Sequence, residues 1–167
     1  SARPDEAIWR EALVRLGAGD VVVAVGALAV ATSDLADSHA TAREAIAIAL
    51  ATGRPTVRYD DLQLEHLLLA NPREELERFV DHYVGVLIRH DAQTSGDLCD
   101  TLEAYLGLGS GAAAARRLFV HYNTLKHRLR KIGELTNADL HDPRTRLALA
   151  LALETRRLVV ADGGVRR

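Results

Sequence analysis

Between Ala112 and Ile132 the chain reads AAAARRLFVHYNTLKHRLRKI, and no other stretch restricts its folding so tightly. The alanines favour a short helix from about Ala112 to Leu118, and Phe119, Val120, His121 and Tyr122 leave room only for a turn. From Asn123 to about Glu134, Leu125, Leu129 and Ile132 fall at i, i+4 and i+7, which defines a second helix with one narrow apolar stripe. Small residues on the first helix let the two axes approach closely. The expected unit is a helix-turn-helix.

At about 100° per residue, the side of the second helix opposite the stripe carries Asn123, Lys126, His127, Arg130 and Lys131, with Thr124 at its edge. These are all donors or cations. The DNA major groove admits one such helix and requires phosphate neutralisation together with side chains that reach base edges. Arg130 and Lys126 can donate to guanine O6 and N7, and Asn123 can pair with adenine unless it is consumed as the helix N-cap. Thr124 is short enough for a phosphate or a thymine methyl, while Arg116 and Arg117 can grip the backbone. Arg128 sits beside the stripe and is expected to make an internal or phosphate contact. His121 either caps or packs in the turn, or touches DNA.

Charge is distributed in the same sense. Residues 1–93 hold 9 Lys and Arg against 15 Asp and Glu, a net −6, whereas residues 94–167 hold 12 against 8, a net +4. No acid occurs between Glu103 and Glu134, and Arg116, Arg117, Lys126, Arg128, Arg130 and Lys131 all fall in that gap. A solvated helix face is the more usual account of a basic cluster taken by itself. On that alternative the chain is an oligomerisation or interaction module.

Other classes find less support. One cysteine, Cys99, cannot form an internal disulfide, and no Cys or His pair stands at zinc-ligand spacing, so no metal or cofactor is expected. No Ser/His/Asp, Cys/His or phosphate-cradling glycine arrangement appears in the required context, so no catalytic residue is assigned and an enzyme is not expected. The chain lacks an apolar run of membrane-spanning length and a signal-peptide pattern, which points to the cytoplasm. It starts at Ser1 and contains no methionine, and therefore reads as a piece whose sensing domain lies upstream.

The remaining chain is expected to be organised as follows. Residues 5–17 form a helix with Ile8, Ala12 and Leu16 on one face; VVVAVGALAV (21–30) forms a strand buried on both faces; residues 37–52 form a helix ended by Gly53; PTVRYDDL forms a strand and turn. This is a small α/β unit with too few elements to bury a sheet properly. Asn71 and Pro72 then start a long helix as N-cap and first helical residue, with an apolar stripe of Leu76, Phe79, Val80, Tyr83, Val84, Leu87 and Ile88. A stripe this long suggests a homodimer in which this helix, or the last one from Arg144, takes part, although packing inside the chain would satisfy it too. Another helix contains Leu98, Leu102, Tyr105 and Leu106; Asp142 and Pro143 start the last one, and the tail from Asp162 reads as disordered. The fold class is mainly α: a partial α/β unit (1–70), a connecting helix (71–93) and a helix-turn-helix domain (94–167).

The run from Leu98 to Leu153, with TLEAYL, AARRLFVHYNTLKHRLRKIGELT and ADLHDPRTRLALALAL, resembles the carboxy-terminal helix-turn-helix domain of PucR/CdaR-type regulators of purine and sugar-diacid catabolism. Leu118, Val120, His121, Asn123, Thr124, Leu125, Arg128, Leu129, Asp142, Pro143 and Leu147 carry the likeness. Tyr122, His127 and Ala114 depart from it, where many relatives have Arg, Tyr and Thr. The first part resembles, more weakly, the tail of a degenerate GGDEF-like domain, without the GGDEF run itself; Asp60 and Asp61 read as turn residues. The resemblance implies a sequence-specific transcriptional regulator of a metabolic operon. The expected protein binds double-stranded DNA as a homodimer, with Arg116, Arg117, His121, Tyr122, Asn123, Thr124, Lys126, His127, Arg130 and Lys131 as the contact residues read from their chemistry and placement, and a small-molecule effector acts on a domain elsewhere.

Overall fold

The computed structural model describes residues 4–15, 21–94 and 96–165. They form α1 (Pro4–Arg15), β1 (Val23–Val25), α2 (Leu35–Thr52), β2 (Thr56–Arg58), α3 (Gln63–Leu69), α4 (Arg73–Thr94), α5 (Leu98–Leu108), α6 (Gly111–Arg117), α7 (Tyr122–Thr136) and α8 (Pro143–Val165). The fold is mainly α, and the chain divides into two compact units, one of residues 1–72 with 157–167, the other of Arg73–Arg156.

In the first unit β1 and β2 pair in parallel, with Ala24 opposite Val57, and α2 connects them. Ala45, Ile48 and Ala49 of α2 close over Val57, Leu62 and Leu158. Gly53 ends α2 at φ 66°, a left-handed conformation that glycine adopts without steric cost.

Three expectations fail in this unit. The apolar run 21–30 is a strand only over Val23–Val25, and Leu28 and Val30 are exposed. Gly26 explains the early stop: a Cβ there would lie 1.9 Å from the Ser38 carbonyl oxygen, and the next amide, of Ala27, bonds the Thr41 hydroxyl at 2.9 Å. The chain has left the sheet to pass against α2. In α1, Ile8 and Ala12 do not form a buried face, since both are exposed; Leu16 and Gly17 lie outside the described residues. Helix α3 was not expected at all. Asn71 lies just past its end: its side-chain amide donates to the Leu67 and Leu68 carbonyls at 2.9 and 3.2 Å and so caps α3 instead of α4, which starts at Arg73 and not at Pro72.

The second unit is built from α4 to α7 and the first half of α8. Val84, Leu87, Leu98, Leu102, Ile132, Leu149, Ala152 and Leu153 form its core, and Phe79, Val80, Tyr83, Val86 and Ile88 pack against it. The α4 stripe from Phe79 to Ile88 is therefore used within its own unit, with Phe79, Val80, Tyr83 and Ile88 partly buried. Asp142 caps α8 as expected, accepting from the Thr145 amide and hydroxyl at 2.7 Å each. The helix is described through Val165, past Asp162 and across Gly163 and Gly164. Arg166 and Arg167 lie outside the described residues.

Candidate nucleic-acid interface

The site is assembled from the bottom of α6 upward. Gly109 turns the chain out of α5 at φ 62°, and the Ser110 hydroxyl accepts from the Ala113 amide at 3.4 Å to start α6. Ala114 and Ala115 are buried against Ala104 and Leu125, with Leu118, Val120 and Leu129 around them. Small side chains there set the close approach of α6 to α7. Gly111 has a related role, because a Cβ would come within 3.2 Å of the Tyr122 ring.

The turn is a Schellman motif. The Val120 amide bonds the Ala115 carbonyl at 3.1 Å and the Phe119 amide bonds the Arg116 carbonyl at 3.2 Å, the six-to-one and five-to-two pattern that closes a helix end. Val120 completes it by packing in the same cluster as Ala115. The residue that reverses the chain is Phe119, at φ 55°. Glycine usually fills that position, since a left-handed conformation costs a side-chain-bearing residue roughly 1–2 kcal/mol.

Helix α7 then begins with His121 as its N-cap. The residue is extended (φ −66°, ψ 145°), and its Nδ1 accepts from the Asn123 amide at 3.2 Å. Of the two roles open for His121, this one is observed, and it leaves the Asn123 side chain free. Leu125 and Ile132 are fully buried and Leu129 is partly buried, as the stripe requires. Asn137 ends the helix at φ 52°.

Each residue proposed from sequence lies on the solvent side: Arg116 and Arg117 in the last turn of α6, and His121, Tyr122, Asn123, Thr124, Lys126, His127, Arg130 and Lys131 on or at the start of α7, all exposed. Among the described residues, Arg116, Arg117, Lys126 and Lys131 have no ion-pair partner. Arg130 lies 3.7 Å from Glu134, one turn on, with both side chains exposed; such a pair is weak enough to exchange for a stronger acceptor. Arg128 turns inward, as expected. Its guanidinium reaches the Asp97 carboxylate at 2.9 Å and the Thr101 hydroxyl at 3.3 Å, tying α7 to the start of α5.

A groove of about 510 Å³ flanks α7, lined by Tyr122, Lys126 and Arg130 from that helix and by Tyr105, Leu140 and His141. His141 was not singled out from sequence. It lies in the loop before α8, where no periodicity marks it.

A short helix, a tight turn and a second helix with an exposed outer face of donors and cations define the class: a helix-turn-helix domain of the DNA-binding type. Residues 98–155 match the PucR C-terminal helix-turn-helix domain, and this part of the chain is a domain of that family. The chain is 34% identical over 124 residues to the proline-responsive transcriptional activator PutR of Bacillus subtilis, which covers 71% of this chain and 30% of that protein. It is 35% identical over 102 residues to the purine catabolism regulatory protein of the same organism, covering 60% and 19%. An uncharacterised protein of Mycobacterium tuberculosis is 40% identical over 67 residues, covering 40% and 16%. The chain thus spans less than a third of the length of these relatives.

Proposed function

We propose that this chain is the DNA-reading part of a transcriptional regulator of a metabolic operon, with α7 as the recognition helix. The observation that carries the proposal is the outer face of α7, where Asn123, Lys126, His127, Arg130 and Lys131 stand exposed while Leu125 and Ile132 are buried beneath them. Lys126 and Arg130 donate to guanine, Asn123 pairs with adenine, and Arg116, Arg117 and Lys131 hold phosphates. Thr124, His127 and Tyr122 border the same surface, and His121 sets its position from the cap. The relatives' names, a proline-responsive activator and a purine catabolism regulator, support a metabolic target.

The regulator acts in the cytoplasm on double-stranded DNA. It works as a homodimer, because two half-sites multiply the affinity of one small module, and a small-molecule effector acts on a domain outside this chain. Either α4 or the last helix, from Arg144, supplies the contact between copies; Phe79, Val80, Tyr83 and Ile88 of the α4 stripe are only partly buried within their own unit. Nothing in this role requires catalysis.

The test is duplex binding by fluorescence anisotropy, using sites selected from a randomised pool and a range of salt concentrations. Binding is expected to weaken steeply with salt, by a slope of about −0.9 per phosphate neutralised. Lys126→Ala and Arg130→Ala are each expected to cost roughly 1–3 kcal/mol of specific affinity with melting unchanged. Salt-insensitive binding, or two silent variants, makes the basic helix a solvated face of an interaction module.

A further inference from the structure

Phe119 combines two properties that seldom occur together. It occupies the left-handed position of the turn between α6 and α7, at φ 55°, and its side chain is 96% exposed. A glycine would make the same Schellman turn without the steric conflict of a Cβ. The phenyl ring brings no compensating burial, for it belongs to none of the packed clusters of its unit. A strained, fully exposed aromatic on a loop is a functional signal when no folding role accounts for it.

Its place narrows the function. Phe119 lies two residues before the His121 cap, at the amino-terminal end of α7, and that end of a recognition helix is the one that meets base edges. The flanking residues are the exposed Arg116, Arg117, Tyr122 and Asn123, a surface whose charge suits a polyanion. Within a major groove, the apolar group offered to a phenyl ring is the C5 methyl of thymine.

We propose that Phe119 is a specificity-determining residue that packs on a thymine methyl next to the bases read by α7. This rests on the reading of α7 as a recognition helix. The ring adds no charge, so it selects sequence without contributing to the salt-dependent attraction.

The experiment uses the whole chain, duplexes selected by the wild-type protein, and Phe119→Gly. The variant is expected to melt at or above the wild-type temperature, which excludes misfolding as the source of any loss. Its affinity for the selected duplex should fall about threefold to tenfold, the value of one buried methyl-sized contact, with random-sequence affinity and the salt slope unchanged. Replacing the selected thymines by deoxyuridine should weaken the wild type by the same factor and leave Phe119→Gly unaffected. Wild-type binding with a silent Phe119→Gly overturns this inference alone. So does a wild type indifferent to deoxyuridine. A wild-type chain that fails to bind duplex DNA, or binds it without regard to Lys126 and Arg130, overturns the reading of α7 and this inference with it.

Discussion

The start of α5 is held by a residue of the preceding helix, and its removal has a calculable, pH-dependent cost. Asp91, in the last turns of α4, accepts from the Leu98 amide at 3.0 Å and the Cys99 amide at 2.8 Å. Asp97, the residue in the N-cap position, makes no side-chain capping bond. Two donors at the first turn of α5 therefore depend on one carboxylate, and both belong to buried residues. Asp91→Ala leaves them without that acceptor. A lost N-cap costs about 1 kcal/mol and a stranded buried donor about 1–3, so the sum expected at neutral pH is about 2–3 kcal/mol. For a unit of this size that lowers the melting temperature by roughly 8–20 °C. The pH dependence identifies the cause. Burial pushes the Asp91 carboxyl up, but the Cys99 and Leu98 amides outweigh it and hold the group below its ordinary value of 3.8. A carboxylate depressed in the folded state contributes stability above the unfolded value and loses it as pH falls through the folded one. The gap between wild type and Asp91→Ala, followed by circular dichroism melting, should be widest at neutral pH and shrink below about pH 4. Asp91→Asn, which keeps an acceptor but no charge, should fall between the two. A gap of equal size at neutral pH and at about pH 3 would refute capping by the carboxylate.

Leu125→Ala should cost about 3–4 kcal/mol, because Leu125 is fully buried and its neighbours Ala104, Ala114 and Ala115 are too short to fill the space. Leu129→Ala, only partly buried, should cost clearly less, and equal losses in denaturant titration would show that the two sites are not distinguished by packing. Arg128→Lys should destabilise by about 1–2 kcal/mol, since an ammonium cannot span Thr101 and Asp97 together. It should leave the duplex affinity of the folded fraction unchanged, and a loss of affinity with unchanged melting would place Arg128 on the DNA instead.

The second unit was the more legible in sequence, because its stop and start signals coincide with changes of periodicity. Asp142-Pro143 marks α8, Gly109 ends α5, and the Leu125 to Ile132 spacing defines α7. The first unit misleads where one residue serves either of two neighbours. Asn71 before Pro72 reads as an N-cap, yet its amide turns back to α3, and the dipeptide is the same in both cases. The run 21–30 has the composition of a buried strand, but its length is decided by Gly26 meeting the Ser38 carbonyl, a contact between segments twelve residues apart that no local pattern records. The α4 stripe is a similar case. Its apolar period is plain, whereas its partner, the core around Leu102 and Ile132, becomes visible only in three dimensions.

In the site itself, the sequence identifies which residues can donate, and the fold decides which remain available. Asn123 had two possible uses, and the His121 ring takes the capping role, so the amide stays on the outer face. Arg128 stands among the cations of α7, yet Asp97 and Thr101 hold it against α5. The structural tasks of α7, capping and tethering, thus fall to two residues at its start and inner flank. Lys126 and Lys131 are left without ion-pair partners among the described residues, and Arg130 keeps only an exposed contact to Glu134. A helix whose cations were merely solvated would gain a few tenths of a kcal/mol from acids placed four residues away. Only Arg130 has one, Glu134; Arg116, Arg117, Lys126 and Lys131 have none. That forgone stabilisation is small at each position, but it recurs across α6 and α7, and it leaves this face with an attraction for phosphate that its own chain does not satisfy.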